Sequence, residues 1–313
     1  MGQTALTGPD AGELSEIVEG VYAWVQPDGT WWVNNAGAVA GDDGLLVVDT
    51  CATATRTRRF LDALAAATAG APLRWAVNTH QHGDHTYGNS LLPGSTALIG
   101  HTAMRGALSE DPLLENPPAV WEPVPEWGDV TRRLPSITLD RALTLHLGGR
   151  RVDLRHPGYT AHTPGDVVAW LPEERVLFTG DLLFHGLTPL VLTGSVDGAL
   201  RSLEWVRSFG PEHVVPGHGP LLTGAELDEV LAAHERYYRF VLEAAEGAVR
   251  EGRPPLECAL TADLGEFGGW ADAERIVMNL HRARADLVGE PLDPARALSD
   301  AVRWNGGPMS TSL

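Results

Sequence analysis

The sequence predicts an α/β fold in which strands and helices alternate along the chain. Residues 45–49, Leu-Leu-Val-Val-Asp, form a continuous apolar run that is typical of a strand buried on both faces. Directly after it, residues 55–67 place Phe60, Leu61 and Leu64 at helical spacing. The same succession recurs along the 313 residues. This alternation favours layers of sheet and helix over a helical bundle or an all-β sandwich.

The remaining elements follow from turn residues and periodicity. Turn residues at 27–29 and 41–44 separate apolar stretches and predict hairpin connections. Strands are predicted at 20–25, 31–40, 44–49, 75–78, 97–100, within 137–154, within 167–179, and at 213–215. Helices are predicted at 55–67, at 86–92, after 102, and at 197–209, 223–250 and 271–287.

The predicted organisation has three parts. Residues 1–17 are expected to be a flexible, acidic N-terminal segment, and residues 18–250 are expected to form the main domain. Residues 251–313 are expected to be a helical extension packed on that domain, with a loose tail after residue 287. Within the main domain, residues 111–127 contain five prolines and two tryptophans. This composition predicts an ordered loop or a lid.

Charge and composition exclude several classes of function. Asp and Glu number 41 against 23 basic residues, so the net charge is −18, which disfavours nucleic acids and anionic membrane surfaces as partners. All the basic residues are arginine. Schiff-base chemistry on lysine and a phosphate-binding loop ending in Gly-Lys-Ser/Thr are therefore impossible. The two cysteines, Cys51 and Cys258, are too few for a disulfide framework.

Localisation is predicted from what the sequence lacks. No apolar run reaches the ~18 residues that a membrane-spanning helix needs. Residues 1–16 have neither the basic nor the apolar region of a signal peptide. We therefore expect a cytoplasmic protein without a membrane or nucleic-acid partner, and a homodimer is compatible with the sequence.

A cluster of metal-capable side chains follows the predicted strand at 75–78. Residues 79–85 read Thr-His-Gln-His-Gly-Asp-His. On an extended segment side chains repeat with period two, so His80 and His82 point the same way and can bind one cation together. Gly83 allows a turn, after which Asp84 and His85 can face a second cation. A solvated polar loop would not need this residue pattern, so we interpret the cluster as a metal site.

Three further candidates follow apolar strands or turns in the same manner. His162 lies in Ala-His-Thr-Pro-Gly-Asp, Asp181 in Phe-Thr-Gly-Asp, and His218 in Pro-Gly-His-Gly. Each alone would be a weak signal, because a single histidine near a turn is more often a hydrogen-bonded loop residue. Their order along the chain and their surroundings strengthen the metal interpretation.

With these motifs in this order, the chain resembles the metallo-β-lactamase superfamily over roughly residues 18–222. The resemblance implies an αββα sandwich, with two mixed sheets inside, helices outside and two metal ions at one edge of the sheets. Carried over by position, it implies that His80, His82 and His162 bind one metal. It further implies that Asp84, His85 and His218 bind the other metal, and that Asp181 bridges the two.

Coordination chemistry agrees with this ligand set. Imidazole nitrogens and carboxylates suit zinc, and the resemblance leaves iron and manganese as alternatives. Two adjacent cations lower the pKa of a shared water to about 7, which creates a hydroxide nucleophile at neutral pH. We expect Asp84 to be the catalytic residue that orients the attacking water.

Departures from particular branches of the superfamily narrow the predicted activity. Asp181 stands where many zinc β-lactamases carry a cysteine, and no flavodoxin-like segment or large nucleic-acid-processing insertion is present. The branch that fits hydrolyses thioesters, lactones or esters. Trp270 and motifs at 180–184, 188–190, 194–196, 214–220, 279–283 and 304–307 resemble thioesterases and cyclases of aromatic polyketide pathways, which implies a small-molecule or acyl-carrier-bound substrate. A mononuclear iron persulfide or thiol dioxygenase and a β-lactam hydrolase remain alternatives.

Candidate substrate contacts surround the predicted metals. Trp121 and Trp127 could stack on a flat substrate, although aromatic residues beside prolines equally often anchor a loop. Tyr87 is near enough to the metal motif to donate to an oxyanion, with packing of a helix as the alternative role. His185, four residues after Asp181, is a candidate to contact a metal ligand or the substrate. Behind the ligands, the residues expected to orient metal-bound imidazoles are Asp49, Thr163 and Asp166.

Overall fold

The computed structural model describes residues 12–26 and 28–313. Strands β1–β15 of the described chain lie at Glu13–Val18, Val21–Val25, Ala36–Gly41, Gly44–Val48, Leu73–Val77, Ala97–His101, Trp121–Glu122, Ile137–Leu139, Ala142–Leu147, Arg150–Arg155, Val168–Leu171, Val176–Phe184, His213–His218, Leu222–Thr223 and Met309–Ser310. Helices α1–α8 lie at Ala54–Ala67, Gly83–Thr86, Thr102–Ser109, Val196–Arg207, Gly224–Glu251, Pro255–Thr261, Arg275–Val288 and Pro294–Asn305. Short 3-10 turns occupy Tyr87–Leu91 and Gly265–Gly269.

The long strands form two mixed sheets that pack face to face. The first has the order β1-β2-β3-β4-β5-β6-β8 and the second has the order β14-β13-β12-β11-β10-β9. The space between them is filled by apolar side chains from both sheets, among them Val39, Leu46, Val48, Val77, Val152, Leu171, Phe178 and Val215. A separate pair, β7 with β15, joins the segment 111–127 to the C-terminus.

Helices cover the outer face of each sheet. Phe60 and Leu64 of α1 pack with Leu45 and Val47 on the outer face of the first sheet. The outer face of the second sheet packs against α4, α5, α7 and α8 in the largest apolar cluster of the described chain. The layers are therefore helix, sheet, sheet and helix. The αββα sandwich implied by the resemblance is confirmed.

Strand β4 confirms the prediction from its continuous apolar run. Successive side chains of a strand point to opposite faces. Leu46 and Val48 accordingly pack between the sheets, whereas Leu45 and Val47 pack against α1. All five residues of the strand are buried, so no polar alternation is present. The strand ends at Val48, and the next residue is Asp49, which contacts the candidate metal ligands.

Three predicted elements differ from the structure. The strand predicted at 31–40 begins only at Ala36, because the backbone around Gly29 and Val33 turns inward and its carbonyl groups accept hydrogen bonds from His218. The helix predicted at 86–92 is the short α2 followed by a 3-10 turn. The loose tail predicted after 287 instead contains α8, whose apolar side packs into the main cluster.

The N-terminal expectation is corrected in part. Residues 13–17, predicted to be flexible, belong to β1, which pairs antiparallel with β2 from Glu13 opposite Val25 to Val18 opposite Val21. The pairing satisfies backbone groups that a flexible segment would leave to water. The first eleven residues of that predicted segment lie outside the described residues.

The length and hydropathy of the helices decide whether any of them could cross a membrane. Among residues 12–26 and 28–313, none of the helices combines the length and the hydropathy that crossing a bilayer requires.

Candidate metal centre

The predicted ligands converge at one edge of the sandwich. His80, His82, Asp84 and His85 follow the end of β5, and His218 ends β13. Two further candidates, Asp181 on β12 and His162 on the loop between β10 and β11, complete the set. The ligand atoms form two groups, within each of which all atoms lie within 4.8 Å of one another. The sequence prediction that these side chains meet in space is therefore met by the geometry.

The first group, here called the three-histidine cluster, consists of His80, His82, His162 and Asp181. His82 Nδ1 lies 3.1 Å from His80 Nε2 and 3.0 Å from His162 Nε2. Asp181 Oδ2 lies 3.4 Å from His162 Nε2. Three ring nitrogens and a carboxylate oxygen thus face one point.

The second group, here called the two-histidine cluster, consists of Asp84, His85 and His218. Asp84 Oδ2 lies 3.2 Å from His218 Nε2 and 3.8 Å from His85 Nε2. Asp181 reaches this cluster as well, because its Oδ1 lies 3.1 Å from His85 Nε2 and its Oδ2 lies 3.5 Å from His218 Nε2. Asp181 therefore stands between the clusters, where a bridging ligand would stand.

Two imidazoles are oriented by Asp49. Its carboxylate accepts from His85 Nδ1 at 2.8 Å and from the Thr79 hydroxyl at 2.7 Å. The Thr79 oxygen in turn accepts from His80 Nδ1 at 3.1 Å. Asp49 adopts a left-handed backbone conformation, with φ of 60°, which is uncommon for a non-glycine residue and places the carboxylate beneath both rings. The prediction that Asp49 lies behind the ligands agrees with these contacts.

Two other imidazoles are oriented by the loop of residues 185–195, which joins β12 to α4. His162 Nδ1 donates to the Leu190 carbonyl at 2.7 Å. His82 Nε2 lies 3.1 Å from the Thr193 hydroxyl oxygen. Thr163 and Asp166, expected to orient a ring directly, instead bond to each other at 2.7 Å and stabilise the turn after His162.

The fifth imidazole, His218, is held by backbone. Its Nδ1 faces the carbonyl oxygens of Gly29 at 2.8 Å and Val33 at 3.0 Å. The residue before it must be glycine, because a side chain on Gly217 would collide with Asp181 Oδ1. The close approach of β13 to β12 thus brings His218 to the carboxylate of Asp181.

These contacts test whether the residues fit a metal. A neutral imidazole carries one N–H and one lone pair, so a ring that donates outward through one nitrogen directs a lone pair inward from the other. All five rings have an oxygen partner on the outward nitrogen. His85 Nε2 and Asp181 Oδ1 are buried and lie 3.1 Å apart, and neither atom has a hydrogen-bond partner beyond this contact. Converging lone pairs and carboxylates repel each other unless a cation lies between them, so the donor set fits divalent metal ions.

The pKa shifts of the candidate ligands differ between the two clusters. Burial lowers the pKa of His162 to about 3 and lowers the pKa of His80 well below its ordinary value, so both rings are neutral at pH 7. Burial opposes ionisation of Asp84, but His85 and His218 bring its pKa down to about 2. Burial also opposes protonation of His218, yet Asp181 and Asp84 raise its pKa to about 9. A proton and a metal ion compete for this Nε2 atom.

Comparison with known proteins identifies the family. The family described as the metallo-beta-lactamase superfamily matches residues 29–218, which contain all seven candidate ligands. The chain belongs to the metallo-β-lactamase superfamily. It is accordingly an enzyme of that superfamily, and it has hydrolases among its homologues.

Curated relatives have different activities. A hydroxyacylglutathione hydrolase of Anaeromyxobacter dehalogenans is 32% identical over 250 residues, which cover 77% of this chain and 79% of that protein. The 2,4-dinitroanisole O-demethylase subunit alpha of Nocardioides sp. is 25% identical over 220 residues, which cover 68% of this chain and 57% of that subunit. The chain thus spans little more than half the length of the demethylase subunit.

Solved structures share the superfamily fold. The stereoselective inverting sec-alkylsulfatase of Pseudomonas sp. superposes with a TM-score of 0.70 at 19% identity, covering 95% of this chain and 55% of the sulfatase. A metallo-beta-lactamase of Pontibacter korlensis superposes with a TM-score of 0.58 at 18% identity, covering 72% of this chain and 99% of the lactamase. At these identities the likeness establishes the fold alone.

A cavity of about 580 Å³ opens above the edge of the sandwich at which the two clusters lie. His82, Asp84, Asp181 and His218 form part of its lining. Most of the remaining wall is apolar, with Trp31, Trp32, Leu113, Trp121, Phe184, Leu190, Leu192 and Leu298 among its residues. Chain segments distant in sequence therefore build one pocket, including segment 111–127 and the C-terminal helix α8.

The candidate substrate residues separate into three positions. Trp121 lines the cavity. Trp127 and Tyr87 lie behind the wall and pack on Trp32, with ring centroids 4.7 Å and 6.3 Å from it. The Tyr87 hydroxyl donates to Asp111 Oδ2 at 2.8 Å, so its proton is directed to that carboxylate, and the ring contacts match the packing role rather than the oxyanion role.

His185 differs most from its expected position. Its Nδ1 lies 3.0 Å from the Pro220 carbonyl oxygen, and the side chain lines a separate groove beside α5 and Trp270. The backbone at the end of β12 turns away from the metal-binding edge after Phe184. His185 therefore does not contact the cavity.

Sequence reasoning missed several residues of the site. Trp31 and Trp32 were assigned to a strand, yet both line the cavity. Thr193 lies in none of the sequence motifs, and Leu190 lies in one only through the resemblance, although they hold two of the imidazoles. The adjacent tryptophans in a short turn-rich stretch were the one available signal. The roles of Thr193 and Leu190 depend on contacts across more than 20 residues, and no local pattern indicates them.

Proposed function

We propose that this protein is a metal-dependent hydrolase of thioesters, esters or lactones with an apolar acyl group. In this proposal the three-histidine and two-histidine clusters each hold one divalent ion, with zinc as the expected metal, and Asp181 bridges them. The observation that carries it is the convergence of five imidazole lone pairs and two carboxylates at the floor of an apolar cavity. Such a floor places activated water beside a bound carbonyl group.

The chain's own residues have separable roles in this reaction. Two bound divalent ions would activate water and polarise a carbonyl group. Asp84 lines the cavity and is ionised at neutral pH, so it can accept a hydrogen bond from the attacking water and orient it. Asp49, Thr193 and the Leu190 carbonyl hold the imidazoles in one tautomer. The indole and leucine walls exclude water from the acyl group.

The charged side chains of the cavity wall away from the two clusters favour a neutral substrate. Arg275 is the basic side chain in the described lining other than the histidines, and it is already paired with Asp272 at 2.7 Å. Glu110 and Asp111 add negative charge to the wall. A glutathione thioester, the substrate class that the name of one relative indicates, carries carboxylates that this wall would repel. A flat, neutral acyl chain such as an aromatic polyketide thioester fits the indole walls better.

A matched substrate pair tests this proposal. The same arylacyl group is offered to zinc-loaded protein as its glutathione thioester and as its neutral N-acetylcysteamine thioester, with an aryl lactone and a β-lactam for comparison. We expect hydrolysis of the neutral thioester with kcat/KM at least ~10-fold above that of the glutathione thioester, about 1.4 kcal/mol in transition-state binding. If no ester, thioester or lactone is cleaved, the hydrolase assignment is wrong.

Metal analysis separates the main alternative. Two zinc ions per chain support hydrolysis, because both clusters are then filled. One iron per chain together with oxygen consumption on a persulfide or thiol would support the dioxygenase alternative instead. Ready cleavage of the β-lactam with slow cleavage of the thioesters would support the β-lactam hydrolase.

A further inference from the structure

The three-histidine cluster depends on a loop for its orientation. The Leu190 carbonyl accepts from His162 Nδ1, and the Thr193 hydroxyl contacts His82 Nε2. Apart from a single bridge between Leu187 and Ala271, residues 185–195 of the described chain belong to neither helix nor strand. Sheet hydrogen bonds therefore do not fix the carbonyl that orients His162.

Helix α7 provides that fixation through Asn279. Asn279 Oδ1 accepts from the Val191 backbone N–H at 2.7 Å, and Asn279 Nδ2 donates to the Pro189 carbonyl at 2.8 Å. These two bonds bind the residues immediately before and after Leu190. One side chain thus holds the peptide group that carries the Leu190 carbonyl, through the Val191 N–H, and the preceding peptide group, through the Pro189 carbonyl.

Asn279 is itself rigidly placed. Its side chain is fully buried, and Nδ2 also donates to the Tyr237 hydroxyl of α5 at 2.7 Å. A second contact from the same helix, Arg275 Nη1 to the Thr188 carbonyl at 3.0 Å, holds the start of the segment. Buried polar groups that are fully hydrogen-bonded restrict a region to one arrangement.

The two-histidine cluster has an equivalent residue from another part of the chain. Asn35, which is also buried, donates through Nδ2 to the Pro216 carbonyl at 2.9 Å and to the Gly219 carbonyl at 2.8 Å. The two carbonyl groups bound by Asn35 lie on either side of His218 in the chain, just as the two backbone groups bound by Asn279 lie on either side of Leu190. Each cluster therefore has one buried asparagine that holds its supporting backbone.

We propose that Asn279 is a positioning residue for the three-histidine cluster, acting through Leu190 on His162. This inference rests on the proposed function in so far as that cluster binds a metal ion. It assigns to the C-terminal helix α7 a role in metal affinity, in addition to its contribution to the apolar core. Loss of Asn279 would free the Leu190 peptide and with it the orientation of the imidazole.

The test compares zinc binding by wild-type protein and the variants Asn279→Ala and Asn35→Ala. Zinc-loaded crystals are equilibrated with a graded chelator series, and anomalous scattering at the zinc edge gives the occupancy of each cluster. We expect Asn279→Ala to weaken zinc binding about 10–100-fold in the three-histidine cluster and to leave the two-histidine cluster nearly unchanged. Asn35→Ala should give the opposite pattern.

A conservative variant keeps the test decisive if Asn279→Ala does not fold. Asn279→Asp has nearly the same volume and keeps the acceptor for the Val191 N–H, so its affinity should fall between wild type and the alanine variant. Unchanged zinc binding in the three-histidine cluster of either folded Asn279 variant would overturn the proposal. Equal loss from both clusters in the Asn279 and Asn35 variants would also overturn it, since that pattern indicates general destabilisation.

The result is independent of catalysis. Zinc occupancy is measured without substrate, so it can be interpreted even if none of the tested esters is hydrolysed. Absence of zinc from both clusters of wild-type protein would instead contradict the proposed function.

Discussion

The two metal-capable clusters are supported by different parts of the chain. The two-histidine cluster is held by Asp49 at the end of β4 and by the backbone around Gly29 and Val33. The three-histidine cluster shares Asp49 through Thr79, but His162 and His82 depend on the 185–195 loop and hence on α7. One cluster therefore belongs to the sandwich itself, and the other joins the sandwich to the C-terminal helices.

The two clusters also differ in how far their histidines are exposed to the cavity. His85 is fully buried, whereas His82 is half-exposed and lines the cavity together with Thr193. Asp84 and His218 of the two-histidine cluster line the cavity as well, but Leu190 and Thr193, which support the three-histidine cluster, are themselves part of the cavity wall. We infer that the sequence of the C-terminal region affects both metal affinity and the shape of the substrate cavity. The N-terminal sheet mainly fixes the two-histidine cluster.

The largest effect is expected from breaking the two-histidine cluster. Asp84→Ala should remove a metal ligand and the group that orients water, costing several kcal/mol of transition-state stabilisation, or about a 1,000-fold loss of kcat. Zinc content should fall from two ions towards one, while circular dichroism shows an intact fold. Turnover equal to wild type would contradict the catalytic role of Asp84.

A smaller effect on both clusters is expected from Asp49→Asn. Asparagine tolerates the left-handed backbone at this position but provides a weaker acceptor for His85 Nδ1 and for the Thr79 hydroxyl. Zinc affinity should fall about 10–100-fold in both clusters. If only one cluster loses zinc, Asp49 does not link the two as the hydrogen bonds indicate.

Thr193→Val should affect the three-histidine cluster alone. Valine keeps the shape of threonine but cannot accept from His82, and the position is exposed, so stability should change little. Zinc binding in this cluster is expected to weaken about tenfold. The matched control is Thr68→Val, the same substitution at the C-cap of α1, away from the two clusters. This variant should leave zinc affinity unchanged.

The smallest expected effect on metal binding comes from His234, which supports the wall shared by both clusters. His234 Nε2 accepts from the Phe184 N–H at 3.3 Å, and the Phe184 ring stacks on His218. Burial lowers the pKa of His234 to about 4, below the value near 6.5 expected in the unfolded chain. The neutral form therefore stabilises the fold fully above about pH 6.5, and this contribution is lost as pH falls towards 4.

Replacing this residue should flatten the acid side of the stability profile. In His234→Gln the free energy of unfolding should depend less on pH between about 6.5 and 4, by up to about 3 kcal/mol over the window. Denaturant unfolding at several pH values provides the measurement. His146→Gln on β9, an exposed position, is the control and should keep the wild-type profile. An unchanged profile in His234→Gln would show that His234 is not the titrating group.

The convergence of the candidate ligands could be predicted because much of its signal is local. Four metal-capable residues within six positions after an apolar strand have no structural explanation other than a site, and the order of His162, Asp181 and His218 completed the family motif. The β4 strand was predictable for the same reason, since five consecutive residues indicate its burial on both faces. By contrast, Trp31 and Trp32 were assigned to a strand because apolar runs alone do not show where a backbone turns inward.

The sequence by itself therefore determined the α/β layering and the chemical identity of the candidate donors. These properties depend on residue type and on spacing within a few positions. Only the tertiary structure decided that the Leu190 carbonyl and Thr193 orient two of the imidazoles, that Asn279 and Asn35 hold the backbone around the clusters, and that α8 closes the cavity. Such contacts join residues up to 184 positions apart. Their formation depends on how the sheets and helices pack, and short-range sequence patterns do not encode that packing.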